Sequence, residues 1–394
     1  MDLDYGDEEL WWHSLKPTDT LKEITGPLYH LNIATNETIE YAIPLFGYVF
    51  PILFIIILVT NTLVVVALSK PHMRSPMNAV FIVIALCNIL TALFPAPWFL
   101  YMYTFGNHYK PLTPAVACYC YYWMWADLPS LFHTVSIWLT LALAVQRYIY
   151  ICHPATALTW CTMPRVLKGI AWTFVAAILH ESAGFVDFAV IPEEITWKGK
   201  LPSPCLAKVA DWVVEWLEPG SPEVYFSYYY LIRVILVHLC PAASLIVLNI
   251  LLLREMRKSQ LKRQQLVKDN MEGSEECQNL MNSYSTTLML FVVITVFLGV
   301  HVPKAVLSIV HVIFIFTENL VNYHLMDTLF LINNFLIYVS FPMNFAIYCC
   351  MSRQFRATFK ALFVWGARTA TKDGYRPLSY SLVSESTCTN ETVL

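Results

Sequence analysis

Apolar residues in this chain run in long uninterrupted stretches rather than alternating with polar ones. Seven such stretches stand out: Ile43–Leu68, Met77–Tyr103, Tyr121–Tyr150, Val166–Val190, Val224–Leu253, one within Asn279–Phe316, and Thr328–Met351. Each is long enough for the ~20 residues a helix needs to cross a bilayer. Irregular backbone has no hydrogen-bond partners in lipid, so each run predicts a helix. The expected fold is an all-α membrane protein, a seven-transmembrane-helix bundle over residues 43–351. The fourth run is the weakest, because Glu181 and Asp187 lie in its second half. Arg233 breaks the fifth, and Pro303-Lys304 sits inside the sixth. After the seventh, residues 352–365 predict a short amphipathic helix on the membrane surface. Residues 1–42 form an acidic N-terminal tail, and 366–394 a polar tail expected to be disordered.

Composition agrees with a membrane chain: of 394 residues, 57% are hydrophobic and 13% charged, against about 25% charged in soluble domains. Mean hydropathy is +0.53. Net charge (−3) says little, because the charges are segregated. Seventeen of the 25 lysines and arginines fall in one alternating set of connections: Lys70/Arg74, Arg147/Arg165/Lys168, Arg254–Lys268 and Arg353–Arg376. By the positive-inside rule that set is cytosolic, so the N-terminus is expected outside and the C-terminus in the cytosol of a multi-pass plasma-membrane protein. No basic region followed by an apolar core marks a cleavable signal peptide, so the first span would act as its own insertion signal. Asn36-Glu37-Thr38 is then a glycosylation sequon on the outer side.

The chemistry follows from this orientation. Cys118, Cys120 and Cys205 meet an oxidising compartment, which predicts one bridge from the third helix to the 187–223 loop. Cys118–Cys205 is the expected pair, with Cys120 the alternative to Cys118. Cys349 and Cys350, just before the amphipathic helix, are palmitoylation candidates. Charged residues within spans are functional hypotheses by default. Asp127, Glu181, Arg233, Lys304 and Asp327 are of this kind, with Trp98, Trp125 and Tyr228–Tyr230 as aromatic neighbours and candidate ligand contacts. The structural alternative is that the charges pair with one another and the aromatics form an interfacial belt. Arg233 lies eight residues before Pro241, about 12 Å along a regular helix. Enzymatic readings fail: the last span has no lysine for retinal, and His180, His238, His301 and His311 lack ligand-like spacing. No cofactor, metal or nucleic acid is expected. A seven-helix channel or transporter is the alternative class, but it would bring inverted repeats or rows of charges along a helix.

Two stretches suit partners. Arg254–Lys268 carries six basic residues with Met256, Leu261 and Leu266 between them, a helical extension fit for a cytosolic protein or for lipid headgroups. Glu391-Thr392-Val393-Leu394 places a hydroxyl two residues before an apolar terminus, the pattern that PDZ scaffold domains capture through Thr392, Leu394 and the terminal carboxylate.

Gln146-Arg147-Tyr148 followed by His153-Pro154 resembles the block closing the third helix of rhodopsin-like G-protein-coupled receptors. Asn61, Trp172, Pro241, Pro303 with Phe297, and Asn344-Phe-Ala-Ile-Tyr348 fit that family's helix-by-helix marks in order. Phe94-Pro-Ala-Pro-Trp98, Tyr103-Thr-Phe-Gly-Asn-His-Tyr-Lys-Pro111, Ile137–Tyr150, Thr159-Trp-Cys-Thr-Met-Pro-Arg165 and Met351-Ser-Arg-Gln-Phe-Arg356 look more closely like the invertebrate sex peptide/myoinhibitory peptide receptors. The resemblance implies a receptor for short amidated peptides carrying tryptophan, coupled to inhibitory G proteins and engaging arrestin. It implies activation roles for Arg147, Tyr148, His301, Asn344 and Tyr348. The chain also departs from the wider family. Gln146 replaces an acid, Asn88 an aspartate that helps hold Na⁺ with Ser136 and Asn344, His301 a tryptophan, Asn249 a tyrosine and Phe345 a proline.

Overall fold

The computed structural model describes residues 28–30, 39–108, 115–192, 205–210, 222–268, 275–317, 323–351 and 353–362. Seven helices among them are long and apolar enough to cross a membrane. In chain order these spans are Ile39–Leu68, Pro76–Thr104, Val116–Cys152, Met163–Val186, Tyr228–Glu255, Phe291–Val310 and Leu325–Cys350. The fifth continues as helix to Lys268, so the basic extension is helical as expected, and the sixth belongs to a helix that begins at Glu275.

The third span is the axis of the bundle, packing against the second, fourth, fifth and sixth. Its apolar and small side chains recur on every side, and Thr134, Val135, Ser136, Ile137, Leu139, Thr140, Leu143 and Ala144 are all buried. The fourth span is peripheral and buries only Ile170, Ala177 and Glu181. Trp172 and Leu179 on it are 71% and 70% exposed, which is the lipid-facing side of a membrane helix. The larger core cluster gathers Leu68, Val80, Leu139, Leu143, Leu252, Ile294, Tyr348 and Phe355 around the Arg147 end. A second joins the first, second and seventh spans through Phe46, Phe50, Phe99, Ile337 and Phe341, with the Phe46 and Phe99 rings 4.5 Å apart.

Four wide helical turns with i→i+5 bonding interrupt the spans: Ile43–Val49, Leu100–Thr104, Trp123–Asp127 and Val234–Leu239. Three of them end just before a proline (Pro51, Pro129 and Pro241), whose missing N–H breaks the regular ladder, and Leu100–Thr104 follows Pro97. In the fifth span the Cys240 N–H bonds to the Ile235 carbonyl. The next carbonyl in that pattern, Leu236, would need the N–H that Pro241 lacks. The indole of Trp138 on the third span donates to it instead, at 3.1 Å.

The helical expectation for Val166–Val190 is corrected at its end: the helix stops at Val186, and Phe188–Pro192 is a strand. It joins a three-stranded antiparallel sheet of order β1-β3-β2, with β1 Leu28–His30, β2 Phe188–Pro192 and β3 Cys205–Val209. Phe188 pairs with Val209, Pro192 with Cys205, and His30 with Leu206. A chain bearing Asp187 and Pro192 cannot extend a lipid-embedded helix cheaply, and strand pairing satisfies its backbone instead. At the opposite end, the predicted amphipathic helix is found over Arg353–Lys360. Its Phe355 is fully buried against Phe345 and Tyr348, and Thr358 hydrogen-bonds His72 at 2.8 Å.

Candidate functional site

The strand-bearing half of the bundle holds charged groups that a membrane interior tolerates only when paired or in use. Arg233 of the fifth span lies 3.5 Å from the Glu181 carboxylate of the fourth and also donates to Ser130 Oγ of the third. The other Glu181 oxygen accepts from Thr134 Oγ1 at 2.8 Å. Two predicted ligand contacts are therefore joined to each other, in the manner of the structural alternative. Asp127 lies in the wide turn of the third span, nearly buried, with its Oδ2 shielded and unpartnered. Gly184 of the fourth span makes this approach feasible: a Cβ there would come within 2.7 Å of Asp127 Oδ1. The Tyr229 hydroxyl is also shielded without a partner.

Lys304 stands apart from these acids. It follows Pro303 in the sixth span, donates to Asn334 Oδ1 of the seventh at 2.7 Å and lies 4.6 Å from the Phe330 ring centre. Among the described residues no carboxylate lies within salt-bridge distance of it. Trp98 packs edge-on to Tyr121 at 5.3 Å, and Trp125 stacks on the same tyrosine at 5.9 Å with half its surface exposed. Asp327 is exposed.

Deeper in the bundle, His301 occupies the position just before the sixth-span proline turn. Its ring stacks on Phe297 at 3.8 Å and on His133 of the third span at 5.1 Å. His133 has no ligand-like spacing to mark it in the sequence and is signalled only by its place on the inward face of the central helix. Asn88 and Ser136 meet below, with Ser136 Oγ donating to Asn88 Oδ1 at 3.2 Å.

The opposite end carries Arg147, 9% exposed, with Nη1 3.9 Å from Met77 Sδ. Gln146 beside it is buried. The Tyr348 ring lies 5.1 Å from Phe81 and 5.2 Å from Phe355, and the Tyr148 ring 5.9 Å from His153. Asn344 is on the helix Met343–Met351, with its side chain outside the described residues. Tyr150 donates to the Cys161 carbonyl at 3.2 Å, closing the turn after the short helix Pro154–Trp160. Burial pushes the Cys161 thiol up. Cys349 and Cys350 are free thiols, half-buried and exposed, and Arg356 donates to both their carbonyls. Cys118 is disulfide-bonded and Cys120 is free. The Cys205 side chain, Asn36, Thr392 and Leu394 lie outside the described residues. Among the described residues no three His, Cys, Asp or Glu side chains are arranged to hold a metal ion.

The family model described as serpentine-type seven-transmembrane GPCR chemoreceptor Srw matches residues 48–366. The Drosophila melanogaster sex peptide receptor is 42% identical over 99% of this chain and 89% of its own. The chain belongs to the sex peptide receptor family of G-protein-coupled receptors. Further relatives include the sex peptide receptor-related protein 2 of Caenorhabditis elegans, 30% identical over 86% of this chain and 75% of its own. The FMRFamide receptor of Drosophila is 23% identical over 89% and 58%. As a G-protein-coupled receptor the chain is a multi-pass membrane protein and not an enzyme. Among the described residues the receptor's buried charges lie at two levels, Asp127, Glu181 and Asp187 toward the sheet and Arg147 at the opposite end, with buried uncharged polar groups such as Asn88 and Ser136 between.

Proposed function

We propose that this receptor is activated by short amidated peptides carrying tryptophan and signals through inhibitory-type heterotrimeric G proteins from the plasma membrane. The strand-bearing end is extracellular and the Arg147 end cytosolic, in keeping with the lysine and arginine distribution. The observation that carries this reading is the set of charged and aromatic groups (Arg233, Glu181, Asp127, Lys304, Trp98 and Trp125) gathered inside one half of an apolar bundle. Arg233 and Lys304 donate to peptide carbonyls, and the aromatic rings meet the ligand's tryptophans. Cys118 pairs with Cys205, so that strand β3 is held over the third span. Arg147, with Tyr148, His301, Asn344 and Tyr348, transmits activation to the G protein and then to arrestin. Asn36 carries glycan, Cys349 and Cys350 carry palmitoyl chains that hold the helix Arg353–Lys360 to the membrane lipids, and Thr392 and Leu394 serve a PDZ scaffold.

The test is a panel of amidated tryptophan-containing peptides on cells expressing the receptor, read as a fall in cyclic AMP. Wild type should respond and bind peptide. Arg147→Ala should bind peptide equally well and give no cyclic AMP response. Normal signalling by that variant would remove Arg147 from the coupling role, and silence of wild type to every peptide would remove the ligand class.

A further inference from the structure

Beneath Arg233 and Lys304 lies a group of polar side chains of which only His301 has been given a role. His133 of the third span and His301 of the sixth stack at 5.1 Å, and His238 of the fifth lies within electrostatic reach of both. His238 and His301 are 8% and 4% exposed. Both ring nitrogens of His133, and Nδ1 of His238 and of His301, are shielded from solvent without a hydrogen-bond partner. Asn333 of the seventh span is 4% exposed and adjoins the same turn: its Nδ2 donates to the carbonyl of Val300, the residue before His301, at 3.2 Å. That bond fixes which way the amide points, and Asn333 Oδ1 is left shielded and unpartnered. Four spans thus bring five unpartnered polar atoms to one level of the bundle. A shielded polar atom left without a partner loses its hydration with nothing in return, so this many together mark a place that is completed by something else.

The donor and acceptor inventory says what that is. In its neutral form an imidazole offers one N–H and one bare nitrogen, so His133 brings one donor and one acceptor. Asn333 Oδ1 accepts only. The occupant must therefore supply hydrogen-bond donors as well as an acceptor. A carboxylate or an ester supplies acceptors alone, and an ammonium supplies donors alone. A primary carboxamide supplies two N–H groups and one carbonyl without charge. A metal ion is disfavoured by the arrangement, since no three such ligands converge among the described residues. We propose that His133, His238 and His301, together with Asn333, form a subsite for the primary carboxamide of the ligand. The subsite rests on the peptide-receptor reading above and assigns one of its chemical contacts. It also gives His301 a ligand to answer to, because the same ring stacks on Phe297 toward the Arg147 end.

The experiment uses one activating tryptophan-containing peptide in three forms, the C-terminal carboxamide, the free acid and the methyl ester, on the full-length receptor in cells with surface expression measured by antibody. The ester keeps the carbonyl, carries no charge and lacks the N–H donors. On wild type the carboxamide should exceed both other forms by on the order of 100-fold in potency, the upper end of what leaving a buried polar group unpaired costs. In the double variant His133→Phe/His238→Phe, that preference should fall to under about tenfold through loss of carboxamide potency alone. His133→Gln, which restores a donor and an acceptor, should keep most of the preference. Equal potency of ester and carboxamide on wild type would overturn the subsite, leaving the imidazoles to bind water. An unchanged preference in the double variant at normal surface expression would overturn it as well. If none of the three forms acts on wild type, the peptide reading fails and takes the subsite with it.

Discussion

At the scale of single residues, the informative pair is Arg233 and Glu181. The carboxylate is buried, accepts from Thr134, and lies 3.5 Å from the guanidinium. Breaking a buried pair from one side strands the other charge, at a cost of about 3–5 kcal/mol, far more than the pair contributes over neutral replacements. Arg233→Ala alone should therefore lower surface expression sharply. Arg233→Ala combined with Glu181→Gln should restore expression, since no lone charge remains. Peptide potency then separates the two readings of Arg233: it should stay at least tenfold below wild type if the guanidinium touches the ligand, a loss of about 1.4 kcal/mol. Full potency in the double variant would leave Arg233 with a purely structural pairing. The sequence made these two residues candidates because each is a charge within an apolar run. Pairing among the span charges was the structural alternative, but which of them meet was not legible, because it depends on how the fourth and fifth helices are rotated about their axes. His133 went unnoticed for a related reason, since a lone histidine on an apolar helix carries no periodic signal.

At the scale of elements, the seven helices were readable because lipid allows only one backbone solution for a long apolar run. Their irregularities were less so. Prolines mark where a helix ladder must break, yet not whether it kinks or widens, and here four spans widen. The sheet was missed because its strands are three to five residues each, β1 pairs with β3 across more than 170 positions of chain, and β2 follows a helix whose apolar run continues past its true end. Trp138 belongs at this scale too, as a clamp between the third span and the widened turn of the fifth. Trp138→Phe keeps most of the ring and removes the donor, leaving the Leu236 carbonyl bare at an expected cost of about 1–3 kcal/mol. The melting temperature of the detergent-solubilised receptor should drop measurably, whereas Trp172→Phe, on the 71% exposed lipid face, should leave it within error. Equal effects from the two would mean that the indole bond contributes nothing specific.

For the molecule as a whole, ions that bind one conformation better than another shift the entire population, and an ion with no differential affinity shifts nothing. Midway along the bundle Asn88 and Ser136 satisfy each other through a neutral hydrogen bond at 3.2 Å. An amide oxygen lacks the anionic charge that offsets dehydration of a small hard cation. Agonist affinity should accordingly be the same in NaCl as in N-methylglucamine chloride at equal ionic strength, and Asn88→Asp should introduce an inhibition by Na⁺. Clear Na⁺ inhibition of wild type would show that the ion finds its charge elsewhere. The widened turns carry a consequence for anyone aligning relatives of this receptor. A turn with one extra residue rotates everything before it by about 100° relative to a regular helix. Counting back from Pro241 through Val234–Leu239 at 3.6 residues per turn therefore assigns Arg233 to the wrong face, and the same slip enters above Asp127 and below Leu100. Two receptors with identical residues at matched positions can present different side chains to the same ligand if only one of them has the widened turn.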